Sequence, residues 1–459
     1  MNARLIKAWQ DLKGSYYFIP GLMGFGAAAL AYLTAALDSR FSFEFAEYIG
    51  LFQIYSADSA RLILSTIAGS MMTVAAVTFS ITMVAVTSAA GQYGPRLIGN
   101  FMRDRGNQVT LGTFTSTFIY SLLILRLAKS AGNNSGEIVD FVPNISLLTA
   151  MGLTLFSVAV MIYFIHHIPE TLNVGNITGQ VGRRLRRDLE DIYTSESETE
   201  GTAPPDMSQF KSEAVFEIDA RAEGYIQAVN DKALMTLASL NDCVVIANYR
   251  PGDFVTRGDV LLRVWRDEAI DEDLVSKFRN CFAMGHERTA HQNVLFLADQ
   301  LVEILARALS PGINDPFTAI NCINWFQSAM KAVMRGNPPS PYRYDENGDF
   351  RIMATPITFQ RLVSVICDQS RLYIAKDRNA TLKMLTILTE LAVEAANSEY
   401  RKILQEQLKK LEETSLHFAK DKPTRQDLAT RFTMSSRMIS DPSYFMEQRY
   451  SDSWMKGRA

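Results

Sequence analysis

The sequence predicts an α-helical membrane protein with four transmembrane helices and a cytoplasmic α+β C-terminal region. Three observations predict this fold class: long charge-free apolar segments near the N-terminus, a Ser- and Glu-rich linker after them, and mixed strand and helix patterns beyond it. The 459 residues exceed the usual size of one domain. The long charge-free segments exclude a purely soluble protein. The net charge of −3 disfavours nucleic acid as a partner.

Four segments are long and apolar enough to cross a bilayer. Their uncharged runs are 24, 34, 20 and 25 residues long, and a hydrocarbon core needs about 20 residues. In hydrocarbon each backbone amide must be hydrogen-bonded within its own segment, so these segments should be helices. The predicted spans are Tyr16–Leu37, Leu62–Ala90, Val109–Leu125 and Ile145–Ile165.

Basic residues predict the orientation of the spans. Lys and Arg are concentrated at the N-terminus, in the second connection and after the fourth span, where Arg183, Arg184, Arg186 and Arg187 lie close together. The positive-inside rule then places both termini in the cytoplasm. All four cysteines fall in the C-terminal region, which agrees with a reducing compartment.

Composition shifts along the chain predict five segments. They are a four-helix transmembrane domain (1–170), an amphipathic basic helix and linker (171–209), a small β-rich module (210–266), a helical cytoplasmic domain (267–420) and a C-terminal arm (421–459). The linker, Thr194–Gln209, is rich in Ser, Glu, Thr and Pro, which is typical of a connection between domains.

The second span carries a stripe of hydroxyl side chains about 100° wide on a helical wheel. Such a stripe has two physical uses: close helix packing through small polar residues, or the lining of a water-filled path in an oligomer. Both remain open at this point. No ionisable residue lies inside a span, which disfavours a proton-coupled pump. The candidate pore-lining residues are Thr66, Ser70, Thr73, Ser80, Thr87 and Ser88.

Two Gly-Asp turns punctuate the β-rich module between Arg250 and Leu261. The pattern resembles half of a barrel-sandwich hybrid, the module of lipoyl and biotinyl carriers, over about 45 residues. Carriers modify a lysine on a tight turn, whereas Lys232 opens a helical pattern. We therefore expect a structural module and no cofactor.

From Asp267 onward the sequence predicts helices, with one small hairpin at Asn347-Gly348. His286 and His291 are five residues apart and do not match the zinc-protease spacing, so no metal site is predicted. No catalytic motif is found, and an enzyme is not expected. The predicted helices are Gln292–Leu309, Phe359–Lys376, Asn379–Ala396 and Glu399–Phe418.

The segment Ala308–Ala319 predicts a sharp reversal between two helices. Gly312 can end the first helix, Asp315 can cap the second, and Pro316 suits its first turn. This αα corner explains the segment fully. The alternative is a ligand or subunit contact made by Arg288, Asn314 and Asp315.

Four segments together resemble one family: Ser88–Arg96, Arg250–Leu261, Glu287–Thr289 and Ala308–Ala319. They are similar to the bacterial predicted membrane proteins of domain-of-unknown-function family 2254, over most of the chain. The resemblance implies a bacterial cytoplasmic (inner) membrane protein with four spans and a soluble C-terminal domain. It implies no activity.

The sequence thus leads to two hypotheses. The first is a homo-oligomeric channel or pore for ions or small solutes, in which the second transmembrane helix lines the path and the cytoplasmic domain gates it. The alternative is a membrane-anchored sensor or scaffold whose cytoplasmic domain binds a ligand or a protein partner.

Overall fold

The computed structural model describes residues 15–40, 57–94, 101, 104–127, 143–194, 205, 215–451 and 454. These residues fall into two compact units. The membrane unit contains the described residues up to 91 and those between 95 and 173. The C-terminal unit contains residues 92–94 and the described residues from 174 onward.

Four helices of the membrane unit are long and apolar enough to span a bilayer, which confirms the four predicted segments. The last three extend beyond their predicted spans at both ends, whereas the first begins two residues after its predicted start and ends three residues after its predicted end. The second is much longer than a span requires, since 37 residues reach about 55 Å at 1.5 Å per residue. The helices are α1 (Phe18–Arg40), α2 (Ala57–Tyr93), α3 (Arg105–Leu127) and α4 (Asn144–Leu172).

The C-terminal unit begins with α5 (Val174–Thr194), which confirms the predicted amphipathic basic helix. Its buried face includes Leu185 and Leu189. Gly182 lets the Trp325 ring lie against α5, because a Cβ atom there would stand 2.2 Å from the ring. The predicted linker lies outside the described residues, apart from Thr194 and Pro205.

Two sheets form the β-rich part of this unit. The strands are β1 (Val215–Asp219), β2 (Gly224–Val229), β3 (Val244–Ala247), β4 (Phe254–Val255), β5 (Val260–Trp265), β6 (Phe282–Gly285), β7 (Tyr342–Tyr344) and β8 (Phe350–Met353). One sheet has the strand order β1-β5-β3-β8-β7 and the other β4-β2-β6. The sheets enclose an apolar core that includes Ile218, Val245, Leu262 and Phe278.

The two predicted Gly-Asp turns occupy equivalent positions in one antiparallel ribbon, which passes from the first sheet to the second. The Gly252 N–H donates to the Ile226 carbonyl at 2.7 Å, and the Gly258 N–H donates to the Ala220 carbonyl at 2.9 Å. The two glycines and their two acceptors are each six residues apart, so the pattern repeats along the ribbon.

Three strands lie beyond residue 266, so the β-rich part is not confined to residues 210–266. Strand β6 lies in a segment predicted to be helical, whereas β7 and β8 form the predicted hairpin. Strand β6 pairs with β2, and β8 pairs in parallel with β3 through Val245 and Ile352. These short strands pair with partners that are distant in sequence, and local periodicity does not reveal such pairing. The predicted hairpin is confirmed, with Gly348 at φ +85° in the β7–β8 turn.

Helices form the rest of the C-terminal unit, and the four predicted there are confirmed within about two residues. They are α6 (Asp231–Leu240), α7 (Glu272–Arg279), α8 (Val294–Ala308), α9 (Pro316–Arg335), α10 (Phe359–Ile374), α11 (Arg378–Glu394), α12 (Ser398–Phe418), α13 (Lys422–Ser440) and α14 (Pro442–Gln448). Helix α8 is buried along most of its length.

The reversal between α8 and α9 is an αα corner, as predicted. The Asp315 carboxylate accepts hydrogen bonds from the Thr318 N–H at 3.1 Å and from its hydroxyl at 2.6 Å, and Pro316 lies in the first turn. The left-handed residue is Asn314, with φ +51°. Asn314, rather than Gly312, therefore provides the reversal of the chain.

The predicted C-terminal arm differs in the structure, because α13 packs within the unit. Leu428 and Phe432 are buried, and the hydroxyls of Thr389 on α11 and Ser435 on α13 are 2.6 Å apart. The apolar face of α13 is narrow and includes serine, so its helical periodicity is weak in the sequence.

Candidate functional site

The hydroxyl stripe of α2 faces away from the membrane unit's core. All six candidate pore-lining residues are exposed in the single chain. The opposite side of α2 packs into the apolar core through Ala60, Leu64, Ile67, Met71 and Ala75. The stripe is therefore available to contact lipid, water or another copy of the chain.

The threonines of this stripe hydrogen-bond to their own helix. The hydroxyls of Thr66, Thr73 and Thr87 each donate to the carbonyl four residues earlier, at 2.8, 3.0 and 2.8 Å. This back-bonding satisfies the donor within hydrocarbon. It leaves the oxygen lone pairs on the outer face as acceptors.

Helix α3 also carries a hydroxyl stripe, and this stripe is buried inside the unit. Its residues are Thr110, Thr113, Thr117, Tyr120 and Ser121. The Thr117 hydroxyl lies 3.0 Å from the Ser157 hydroxyl of α4. The Tyr120 hydroxyl lies 2.9 Å from the Thr34 hydroxyl and donates to the Ser146 carbonyl at 3.1 Å. These bonds hold α1, α3 and α4 together, and they use the α3 stripe for helix packing.

A second candidate site is a cavity of about 450 Å³ in the C-terminal unit. This volume lies within the range of small-molecule sites. Helix α5, the β-rich part, the start of α8 and the loop Ala354–Ile357 all contribute to its wall. Much of the lining is apolar, including Val294, Leu295 and Ile352.

One side of the cavity carries Arg250 and Asn293. The Arg250 side chain is 20% exposed, and its Nε lies 3.9 Å from Asp253 Oδ1. Burial lowers the pKa of Arg250; Asp253 opposes this shift, whereas the nearby charges of Arg361 and Arg288 add to it. An arginine still keeps its positive charge under these conditions.

Acidic side chains also line the cavity, and two of them are paired. Asp231 lies 3.1 Å from Arg343, and Asp188 lies 3.5 Å from Arg184. Asp191 is exposed at the end of α5. The cavity therefore combines an apolar interior with positive and negative groups at separate positions.

A family model described as a predicted membrane protein, DUF2254, matches residues 13–390. The chain belongs to this family. An uncharacterized protein of Mycobacterium tuberculosis and one of Mycobacterium bovis are each 28% identical to it over 354 residues, or 76% of this chain and 67% of theirs. No solved structure matches the chain significantly.

Both candidate sites of this DUF2254 protein lie within the matched residues. The predicted contact residues Arg288, Asn314 and Asp315 do not form one cluster. Arg288 pairs with Asp299 of α8 at 2.6 Å, whereas the Asp315 N–H donates to the Ala308 carbonyl. The two residues of α8 that they contact, Asp299 and Ala308, are nine residues apart, or about 13 Å along the helix axis.

The sequence analysis did not identify Asn293 as a candidate site residue, and it named Arg250 only as part of a turn. The available signal for Asn293 was its position before an apolar helix, since asparagine is a preferred N-cap. The Asn293 Oδ1 does accept the Phe296 N–H at 3.2 Å. Its place in the cavity depends on the distant Gly252 turn, which the local sequence does not reveal.

Proposed function

We propose that this membrane protein acts as a homo-oligomeric channel or pore. The outward hydroxyl stripe of α2 carries the proposal, because it lies opposite the face that packs in the chain's own core. Copies of α2 arranged around a common axis would line a path with small polar groups. The extra length of α2 would continue the path beyond the bilayer.

Ion or solute flux through reconstituted proteoliposomes tests this proposal. Thr73→Trp and Ser80→Trp should reduce flux strongly, because a bulky ring would narrow the path. Met72→Trp is a matched control, since Met72 is exposed on α2 but lies about 100° away from Thr73 around the helix. Equal flux in all three variants, or no flux from the unaltered protein, would contradict the proposal.

A membrane-anchored sensor is the second candidate function. The observation in its favour is the cavity of about 450 Å³ in the C-terminal unit. In this function the spans anchor the chain and the C-terminal unit binds a small molecule. Specific binding by a protein that conducts nothing in proteoliposomes would favour the sensor over the channel.

We also propose that the protein resides in the bacterial cytoplasmic membrane with both termini in the cytoplasm. The basic residues Arg183, Arg184, Arg186 and Arg187 just after the last span support this orientation. A C-terminal green fluorescent protein fusion should fluoresce in cells, and a C-terminal alkaline phosphatase fusion should be inactive. The opposite pair of results would reverse the orientation.

The β-rich part is proposed to be a barrel-sandwich-like module with a structural role. Its two sheets and its repeated Gly-Asp turns support this likeness. Lys232 lies in the first turn of α6, which disfavours its use as a carrier lysine. Mass spectrometry of the purified protein should find Lys232 unmodified.

A further inference from the structure

Arg250 brings a positive charge to the cavity that the chain neutralises only in part. Its nearest carboxylate, Asp253, is 3.9 Å from Nε, and the other Asp253 oxygen already accepts the Arg250 backbone N–H at 3.1 Å. Within the part of the chain that the structure describes, no acceptor is hydrogen-bonded to the Arg250 guanidinium. Its fork of N–H donors is available to a ligand.

Asn293 supplies a second donor on the same wall. Asn293 is 4% exposed, and its Oδ1 accepts a hydrogen bond from the Phe296 N–H. Among the described residues, Nδ2 has no hydrogen-bond acceptor. A buried donor without a partner costs about 1–3 kcal/mol, and a small rotation of the amide would let a ligand oxygen reach Nδ2 and remove that cost.

The Gly252 turn places Asn293 beside Arg250. A Cβ atom at Gly252 would stand 2.1 Å from Asn293 Nδ2, so the amide packs directly on the turn that contains Arg250. The two donors belong to segments about forty residues apart, and this close contact brings them to one wall. This contact therefore fixes the position of Asn293 relative to the turn that contains Arg250.

The surroundings of this wall also favour negative charge. Helix α8 begins at Val294, and the N-terminus of a helix carries a partial positive charge. Arg361 adds its charge near Arg250. Arg288 is already paired with Asp299, so it contributes less.

The other groups that line the cavity limit what the anion can be attached to. Asp188, Asp191 and Asp231 would repel a second negative group, although Arg184 and Arg343 partly neutralise two of them. Apolar side chains such as Leu295 and Ile352 also line the cavity. A ligand with one anionic end and an apolar body satisfies both conditions.

We infer that the cavity binds a small organic anion, in which Arg250 and Asn293 hold one carboxylate or phosphate group and the apolar lining covers the body. The inference deepens the sensor proposal by naming its ligand class. It does not depend on whether the protein conducts.

Titration calorimetry of the full-length protein in lipid nanodiscs tests the inference, with empty nanodiscs as the blank. The probes are hexanoate, hexyl phosphate, hexanol and hexylamine, whose apolar chains have five or six carbons. Arg250→Gln keeps the turn's backbone N–H and removes the charge. The matched control is Arg257→Gln, because Arg257 is exposed in the equivalent turn and outside the cavity.

We expect at least one of the two anions to bind, and Arg250→Gln to weaken it about tenfold or more, since a charged hydrogen bond is worth about 1.5–3 kcal/mol. Arg257→Gln should bind normally. Binding of hexanoate alone or of hexyl phosphate alone would identify the anionic group.

Two results would overturn the inference: no binding of either anion at millimolar concentration, or anion binding that Arg250→Gln leaves unchanged. If hexylamine or hexanol binds in the first case, the cavity is still a ligand site and the sensor proposal stands. An unchanged thermal unfolding midpoint will show that Arg250→Gln remains folded.

Discussion

The Asp38 carboxylate, in the last turn of α1, caps α4 at Ser146. One oxygen accepts the Ser146 N–H at 3.0 Å and its hydroxyl at 2.6 Å, and the other accepts the Ile145 N–H at 2.8 Å. An acidic residue at the C-terminal end of a helix is disfavoured by that helix's own dipole. The hydrogen bonds that Asp38 accepts at the N-terminus of α4 offset this unfavourable interaction and explain its position.

Replacement of Asp38 should therefore loosen the membrane unit. We expect Asp38→Ala to lower the free energy of unfolding by about 2 kcal/mol, because it removes a cap and leaves buried N–H groups without acceptors. Unfolding in mixed micelles of increasing SDS fraction measures this change. Asp58→Ala is the control, since Asp58 is exposed in the first turn of α2. A similar effect of both variants would contradict the capping role.

The two hydroxyl stripes should respond differently to the same substitution. Thr117→Val removes the hydrogen bond to Ser157 and should destabilise the membrane unit by about 0.5–1.5 kcal/mol. Thr73→Val removes only a bond within α2 and should change this stability by a few tenths of a kcal/mol. The same SDS titration, run on both variants, compares them. An equal loss in both would mean that the α2 stripe is also part of the fold.

The two Gly-Asp turns provide a matched pair for steric effects. Gly252 and Gly258 have φ of +100° and +95°, so alanine at either position is strained by about 1–3 kcal/mol. Only Gly252 faces Asn293, and Gly258 has open space around its Cβ position. Gly252→Ala should lose about 2 kcal/mol more than Gly258→Ala in urea unfolding of the C-terminal unit. Equal losses would show that the contact with Asn293 relaxes easily.

Cys243 should make the C-terminal unit sensitive to alkaline pH. Burial raises the pKa of its thiol from 9.0 to about 11. A raised folded pKa contributes stability that is complete below pH 9 and is lost as pH rises towards 11, because the unfolded chain releases its proton first. The loss is at most about 1.4 kcal/mol per pH unit.

Urea unfolding at pH 8, 9, 10 and 11, followed by tryptophan fluorescence, tests this prediction. Cys243→Ala should be less stable at pH 8 but should lose less stability between pH 9 and 11 than the unaltered protein. Parallel pH dependences would show that Cys243 does not titrate in this range.

The spans could be predicted because the absence of charge over 20 or more residues is a local signal. The α8–α9 corner was equally local, since Asp315 and Pro316 act within one turn. Strand β6 and the pairing of β8 with β3 could not be predicted in this way, because β6 pairs with β2, and Val245 with Ile352, across long stretches of chain. The cavity wall could not be predicted for the same reason. Arg250 and Asn293 lie side by side because Gly252 packs on Asn293, a contact between segments about forty residues apart.

The parallel pairing of β3 with β8 also has a consequence for synthesis of the protein. Ile352 leaves the ribosome roughly a hundred residues after Val245, and at about 5–20 residues per second the wait is about 5–20 s. During that time one edge of β3 has unpaired backbone groups, and such an edge can recruit other nascent chains. A chaperone that covers this edge on the ribosome would raise the yield of folded protein.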